Sequence, residues 1–202
     1  MRKIINVFLL LVLTLLLTGC AKSISSTAKL TIKPYTVSEK ESELISKTDV
    51  EQIDFFQLNG TLEHDRDLQF SVEVYKNGEL AGELLRTHSE PETKFDNTLI
   101  SFAITKFQEE EQQFLKLIAG VPSGKVTTNY MNEMTANISR DLVQEKIELK
   151  LNKPVYLAAW AGTTKDELQV IGSSNGEFPG RLEDKELAFL YKVVLTDKNM
   201  EK

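Results

Sequence analysis

The sequence predicts an all-β sandwich of about ten short strands, jelly-roll or immunoglobulin-like in type, with at most one or two short helices. Between residues 55 and 195, apolar and polar side chains alternate with a period of two in most segments, which is typical of strands with one buried face. Gly, Asn and Pro separate these segments at short intervals, as in sandwiches and barrels. Long helical segments do not separate the strands, and this argues against a parallel α/β sheet.

The N-terminal elements are predicted to be short. Leu30 and Ile32 alternate with polar neighbours, which indicates a first strand. Ser38 is followed three residues later by Glu41, the pattern of a helix capping box. The charged segment 38–48 is therefore predicted to be either a short helix or a solvated linker.

The middle of the sequence predicts a series of hairpins. Residues 68–75 form the clearest alternating segment, and Asn77-Gly78 after it favours a tight turn because both positions tolerate positive φ. The acidic run Glu109–Glu111 is interpreted as the solvated tip of a second hairpin rather than as a site for a cationic peptide. Further strands are predicted at 80–84, 100–104, 114–118 and 126–130.

The last third of the sequence predicts one helical segment and then more strands. Apolar residues recur at helical spacing between residues 131 and 142, which predicts a short helix or an irregular crossover; they are Met131, Met134, Ile138 and Leu142. Strands are then predicted at 147–151, 155–160, 168–171 and 187–195, with a Gly- and Ser-rich loop at 172–180.

Two of these strands are apolar on both faces, Val155–Trp160 and Leu187–Leu195. Continuous apolar runs are typical of strands that are covered on both sides. A two-layer sandwich covers only one face, so a further segment must cover the other. We expect that cover to be the N-terminal segment, a crossover loop, a ligand or a partner.

The first twenty residues have the organisation of a secretory signal peptide. Arg2 and Lys3 provide a positive start, and an apolar run from Val7 to Leu17 follows, broken only by Thr14. Small residues then come before the only cysteine of the chain, Cys20. The apolar run is shorter than the roughly 20 residues that a membrane-spanning helix needs.

The segment Leu17-Thr18-Gly19-Cys20 resembles the lipobox of bacterial lipoproteins. The resemblance implies that the Cys20 sulfur receives a diacylglycerol and that cleavage occurs between Gly19 and Cys20. It also implies that the new amino terminus can receive a further acyl chain such as palmitate, and two chains anchor a protein stably where one does not. The alternative is an ordinary signal peptide, or an uncleaved anchor, in which Cys20 occurs by chance.

Composition and the signal segment together predict the domain organisation. Residues 1–19 are the signal peptide, 20–28 are the lipidated cysteine and a flexible tether, and 29–198 are a single sandwich domain. Removing residues 1–19 leaves 22 basic and 30 acidic residues, a net charge of −8. Such an acidic chain is a poor candidate for binding nucleic acid, because phosphate contacts need Lys and Arg. No second thiol is present, so disulfides and metal sites built on cysteine are excluded.

An aromatic stripe on the strand 155–160 is the strongest candidate for ligand binding. Tyr156, Ala158 and Trp160 have the same parity in a regular strand, so the two aromatic rings are expected on one face. They could stack on a sugar ring or an extended peptide. The alternative is that both rings pack beneath a loop or the N-terminal segment.

The histidines are candidates for metal binding or catalysis only in weak sequence contexts. His64, Asp65 and Asp67 could ligate a divalent cation, but they lack the spacing of a calcium loop and Arg66 lies among them. His88 has Ser and Glu neighbours within one loop, whereas a catalytic triad draws its groups from separate elements. A solvated connection between strands is the favoured interpretation of both segments, and no metal or other cofactor is expected.

These features predict a lipoprotein on the outer face of the bacterial cell membrane, or in the outer membrane of an organism that has one. Its expected role is a non-catalytic binding module for an envelope protein, a peptide or a glycan, held to the membrane by the lipid on Cys20. Catalytic motifs such as a nucleophile elbow or a phosphate loop are missing from the sequence. Two alternatives remain: a hydrolase that uses paired carboxylates, and an immunity lipoprotein that sequesters a cationic peptide.

Overall fold

The structure is a computed structural model that describes residues 29–165, 169–172 and 175–198. It confirms the predicted sandwich: two antiparallel sheets, of six and five strands, enclose a hydrophobic core. The signal peptide, Cys20 and the tether lie outside the described residues, and their assignment stays a prediction.

Eleven strands and one short helix make up the described part of the chain. The strands are β1 (Thr31–Pro34), β2 (Gln52–Thr61), β3 (Arg66–Lys76), β4 (Glu79–Leu84), β5 (Lys94–Glu109), β6 (Gln112–Val121), β7 (Gly124–Met131), β8 (Ala136–Asp141), β9 (Ile147–Glu148), β10 (Pro154–Thr163) and β11 (Leu187–Asp197), and the helix is α1 (Glu39–Ile45). The six-stranded sheet has the order β7-β6-β5-β2-β1-β9, and the five-stranded sheet has the order β4-β3-β11-β10-β8.

The capping box at Ser38 forms, so the segment after β1 is a helix and not a linker. The Ser38 backbone N–H donates to Glu41 Oε2 at 2.8 Å, and the Glu41 N–H donates back to Ser38 Oγ. Hydrogen bonds from Ser38 and then from Tyr35 lower the pKa of Glu41 to about 2. No residue of α1 is buried, so this helix depends on its cap more than on packing.

Two predicted elements in the last third are wrong. The segment with helical spacing contains the strand β8, because its backbone pairs with β10 from Ala136↔Thr163 to Asp141↔Ala158. Sheet pairing overrides a weak periodic signal. The predicted strand at 168–171 is not formed over residues 169–171, which have no ladder partner. Ile171 is fully buried nonetheless, because its side chain packs on the outer face of the five-stranded sheet.

The main core between the sheets is centred on stacked aromatic rings. Tyr191 of β11 lies between Phe102, at a ring-centroid distance of 5.1 Å, and Phe70, at 6.2 Å. Its hydroxyl is buried and donates to the Gly120 carbonyl at 3.1 Å, so the polar tip is satisfied across the sandwich. These contacts join β3 and β11 of one sheet to β5 and β6 of the other.

A second, smaller core lies on the outer face of the five-stranded sheet, as the doubly apolar strands predict. The crossover between β10 and β11 covers this face, with Leu182 and Ile171 buried against Leu190 and Ala188. Within the crossover, the buried Lys185 ammonium donates to the Gln169 carbonyl at 2.7 Å. Of the expected covers, the crossover loop is therefore the one found.

Candidate functional site

A cleft of about 720 Å³ opens at one end of the sandwich, a volume within the range of about 300–1,000 Å³ typical of ligand sites. We call it the end cleft. Four charged residues from separate elements line it: Lys76 of β3, Glu133, Lys165 and Glu186. Its apolar lining is Tyr130, Met131, Met134 and Leu187. The site therefore combines cations, carboxylates and an apolar floor.

A tight hairpin turn places Lys76 at the cleft. Asn77 has a φ of 50° and Gly78 a φ of 81°, so the predicted turn with two positive φ angles forms and ends β3 there. Lys76 then pairs with Leu187, the first residue of β11. An added Cβ at Gly78 would meet the Glu183 backbone at 2.6 Å, so glycine at this position also lets the crossover pass close by.

Tyr130 forms the aromatic wall of the cleft. Its ring packs edge-on against Phe189 with the centroids 5.0 Å apart, which fixes its position over the core. The Lys76 ammonium lies 5.9 Å from the centroid of the Tyr130 ring, the distance of a cation–π contact. In the part of the chain that the structure describes, Lys76 contacts this ring and makes no ion pair with a carboxylate.

Glu186 is a fixed anion at the rim of the cleft. Its Oε1 accepts from Thr163 Oγ1 at 2.9 Å, and its Oε2 accepts from the Thr164 N–H and Oγ1 at 3.1 and 2.8 Å. The hydrogen bonds from Thr164 and then Thr163 lower the pKa of this carboxyl. These bonds hold the Glu186 carboxylate in place at the rim, where it keeps a negative charge beside Lys165.

The opposite end of the same strands is closed by ion pairs. Arg66 begins β3 and forms an ion pair with Asp197, its register partner on β11. Lys29 forms an ion pair with Glu148 at 2.9 Å. The pocket there measures only about 220 Å³. We call this the Lys29 end, and the ten residue steps from Arg66 to Lys76 place it about 33 Å from the end cleft.

A β-bulge separates the aromatic residues that the sequence places on one face. The pairing of β10 with β11 shifts between Tyr156 and Ala158, so the strand holds an extra residue and the later side chains change face. Trp160 and Ala158 point into the main core, and Tyr156 belongs to the outer core. The predicted stripe is therefore wrong, and Trp160, only 3% exposed, cannot serve as a stacking platform.

Tyr156 instead belongs to a polar network centred on Glu73. Tyr75 and Tyr156 donate to Glu73 Oε2 at 2.9 and 3.2 Å, while the Lys192 ammonium contacts Glu73 Oε1 and, at 3.0 Å, Glu83. Burial, and after it the Glu73 carboxylate, raises the pKa of both tyrosine hydroxyls. The groups satisfy one another, which is what a structural network of partly buried polar side chains requires.

The weak metal candidates are separated from one another. His64 and Asp65 are exposed in the turn before β3. The buried Asp67 carboxylate accepts three backbone N–H groups within 2.9 Å, from Leu68, Ser89 and Glu90. In residues 29–165, 169–172 and 175–198, no three His, Cys, Asp or Glu side chains are grouped as a metal site requires.

One pair of carboxyl groups combines a residue from each sheet, Asp54 of β2 and the exposed Asp141 of β8. Burial, followed by hydrogen bonding and charge repulsion with Asp141, raises the pKa of Asp54 to about 8. A hydrolase with paired carboxylates needs room for a substrate between them. The cavity beside Asp54 measures only about 10 Å³, the space of one water molecule, so this pair does not form a substrate cleft.

The acidic hairpin tip and the tyrosine belong to different parts of the fold. Glu110 and Glu111 form the exposed turn between β5 and β6, which confirms the predicted hairpin. Tyr156 lies on the outer face of the other sheet. The immunity alternative requires an acidic face beside an aromatic stripe, and these positions do not provide one.

Sequence reasoning missed the end cleft, although two signals pointed toward it. The Asn77-Gly78 turn located the end of β3, and Tyr130 with Met131 located the end of β7. What the sequence could not show is that these ends meet Lys165 and Glu186, which come from a region with no alternating pattern.

One protein-family profile, described as the YgaN domain, matches residues 31–195. The match begins at β1 and ends within β11, so it takes in both sheets and the end cleft. No curated protein and no solved structure is significantly similar to the chain. No helix in the described residues is long and apolar enough to cross a membrane. Because the profile covers most of the sequence, the chain belongs to the YgaN domain family.

Proposed function

We propose that this protein is a lipid-anchored lipoprotein on the outer face of the bacterial cell membrane that acts as a non-catalytic binding module through the end cleft. The lipobox resemblance at Leu17–Cys20 supports the anchor. The cleft supports binding, because it combines suitable volume, a fixed aromatic wall and a lysine that has no carboxylate partner among the described residues.

The position of the cleft is the observation that carries this proposal. Lys29, the first described residue after the tether, lines the small pocket at one end, and the cleft lies at the other end of β3. A domain tethered at the Lys29 end would present the cleft away from the lipid. Its ligand would then be a molecule of the envelope space rather than a lipid headgroup.

The anchor is tested by metabolic labelling with palmitate. The expected result is label in the wild-type protein and none in Cys20→Ala, because Cys20 is the only thiol. Label retained by the variant would contradict lipidation at this position.

Binding is tested by photo-cross-linking in intact cells. A photoreactive residue at Asn129, which is exposed and lines the cleft, is compared with one at Lys94, which is exposed at the Lys29 end beside Thr61. The expected result is one dominant adduct from position 129 that is absent from position 94 and lost in Lys76→Ala. Equal adducts from both positions, or none from position 129, would overturn the role of the cleft.

A further inference from the structure

The edge of β7 that borders the end cleft has unpaired backbone groups. Asn132 donates its N–H to the Gln113 carbonyl at 2.9 Å, and the register continues without interruption to Val121↔Gly124. In an antiparallel pair, every second residue of a strand directs its backbone N–H and C=O groups toward the partner strand. Because Asn132 bonds β6 in this way, the even-numbered residues of β7 do so too. The backbone N–H and C=O groups of four residues therefore face outward: Lys125, Thr127, Asn129 and Met131.

β7 differs from the other strands at the sheet edges. Its pairing with β6 has no bulge, whereas the pairing of β4 with β3 shifts between Val74 and Tyr75. β9 has only two residues, and β8 lies beside the crossover, where Arg140 donates to the Ile171 carbonyl. Short length, bulges and covering segments are the usual protections of an edge. Of the four edge strands described, β7 is the one without these three protections, and Lys125 is the charged residue along it.

The cleft reaches the main chain of this edge. Asn129, Tyr130 and Met131 are consecutive and all line it, although successive side chains of a strand point to opposite faces. A cavity at the C-terminal end of the strand can contact all three residues, and two of them, Asn129 and Met131, are among those whose backbone groups face outward. A ligand in the cleft therefore lies within reach of both the unpaired backbone and the Lys76 ammonium.

We infer that the end cleft binds an extended peptide segment that adds to β7 as an antiparallel strand and places an acidic side chain near its N-terminus against Lys76. This inference rests on the proposed binding function and specifies its ligand class. Antiparallel addition continues the pairing of the whole sheet and is a known mode of peptide recognition. The acid is selected by Lys76, which among the described residues contacts only the Tyr130 ring. Glu133 and Glu186 line the same cleft, and Glu186 is already held by Thr163 and Thr164.

The direction of the peptide follows from the geometry. Lys76 and Lys165 lie at the Met131 end of β7, which is its C-terminal end. Glu133 and Glu186 line the cleft as well. An antiparallel partner begins at this end, so its first residues reach the two lysines, and Lys76 over the Tyr130 ring is the cation that an acidic side chain would contact. A Glu at the first position of a strand-forming peptide is therefore expected to bind, and a Lys at that position is expected to be repelled.

The test uses fluorescein-labelled octapeptides rich in Thr and Val and the purified full-length chain in detergent, with binding followed by fluorescence anisotropy. The Glu-first peptide is expected to bind at least about tenfold more tightly than the matched Lys-first peptide. Lys76→Ala is expected to weaken Glu-first binding about fivefold. Lys94→Ala, an exposed lysine at the Lys29 end, is the matched control and is expected to change nothing. Equal affinity for the two peptides would overturn the inference.

Backbone pairing is tested separately from charge. Thr127→Pro removes one outward N–H without breaking the ladder to β6, whereas Thr127→Ala keeps it. The proline variant is expected to lose at least about tenfold in affinity and the alanine variant to bind normally. Methylation of the four central peptide nitrogens removes their N–H donors and should abolish binding to the unaltered protein. This second measurement tests backbone pairing even if the proline variant does not fold. Unchanged binding of the methylated peptide would refute strand addition.

Two further outcomes separate this inference from its alternatives. If the chain self-associates in sedimentation, and Thr127→Pro but not Thr127→Ala makes it monomeric, the occupant of the edge is a second copy and the peptide inference falls. If the acidic peptide fails to bind while position 129 still gives its adduct in cells, the binding function stands and the ligand class is wrong.

Discussion

The two ends of the sandwich satisfy their charged groups in opposite ways. At the Lys29 end, Asp197 pairs with Arg66, Glu148 pairs with Lys29, and Asp67 accepts three backbone N–H groups. At the end cleft, Lys76 faces the Tyr130 ring. Between the two ends, at the level of Phe102 and Tyr191, Asp54 contacts Asp141.

The difference indicates a division of roles along the strands. Charged and polar groups are paired in most of a folded protein, and unpaired ones occur mainly at functional sites. The Lys29 end therefore has the character of a structural base, whereas in the end cleft Lys76 has no carboxylate partner among the described residues. This division predicts different losses of stability for matched variants at the two ends.

The largest effect is expected from Asp54 and depends on pH. Its folded pKa of about 8 lies above the ordinary value near 3.9, so the folded state holds a proton that the unfolded state has lost between these pH values. The free energy of unfolding should then fall as the pH rises from about 4 to 8, by at most about 1.4 kcal/mol per pH unit. Asp54→Asn should flatten this dependence and be the more stable protein at pH 8.

Urea unfolding between pH 4 and 9, followed by the emission of Trp160, measures this dependence. Asp49→Asn, at an exposed position just before β2, is the control and should keep the wild-type slope. Asp141→Asn should reduce the slope only in part, because burial is the larger cause of the Asp54 shift. A wild-type curve that rises from pH 4 to 8 would contradict the assignment.

The second effect is at the Lys29 end. Asp67→Ala removes the acceptor of three backbone N–H groups in a residue that is 5% exposed. Leaving buried donors without partners should lower the free energy of unfolding by about 3 kcal/mol. The neighbouring Asp65→Ala changes an exposed side chain and should cost less than about 0.5 kcal/mol. Similar losses in the two variants would show that Asp67 does not anchor this end.

The parts of the fold that the sequence predicted are those with local causes. The Asn77-Gly78 turn and the Ser38 capping box each depend on a few adjacent residues, and both form. The apolar residues on both faces of Val155–Trp160 correctly predicted that a further segment covers this strand, because strands buried on two faces have continuous apolar sequences.

The parts that it did not predict depend on distant contacts. The bulge at Leu157 adds one residue to the strand, so the Trp160 side chain lies on the opposite face from that of Tyr156. The residues around the bulge are all apolar, and nothing in the local sequence indicates it. The end cleft joins Lys76, Tyr130 and Lys165 from elements far apart in the chain. Neither feature can be predicted without the sheet register that creates it.

The smallest effect compares one cation from each end. Arg66→Ala breaks a partly buried ion pair with Asp197, whose side chain is 29% exposed, and should cost about 1–2 kcal/mol. Lys76→Ala removes only a cation–π contact and should change the free energy of unfolding by no more than about 0.5 kcal/mol. Because Lys76→Ala is also expected to weaken acidic-peptide binding about fivefold, its small effect on folding is what distinguishes a binding lysine from a structural one. A loss as large as that of Arg66→Ala would place Lys76 among the structural groups, and the two ends would then no longer differ in role.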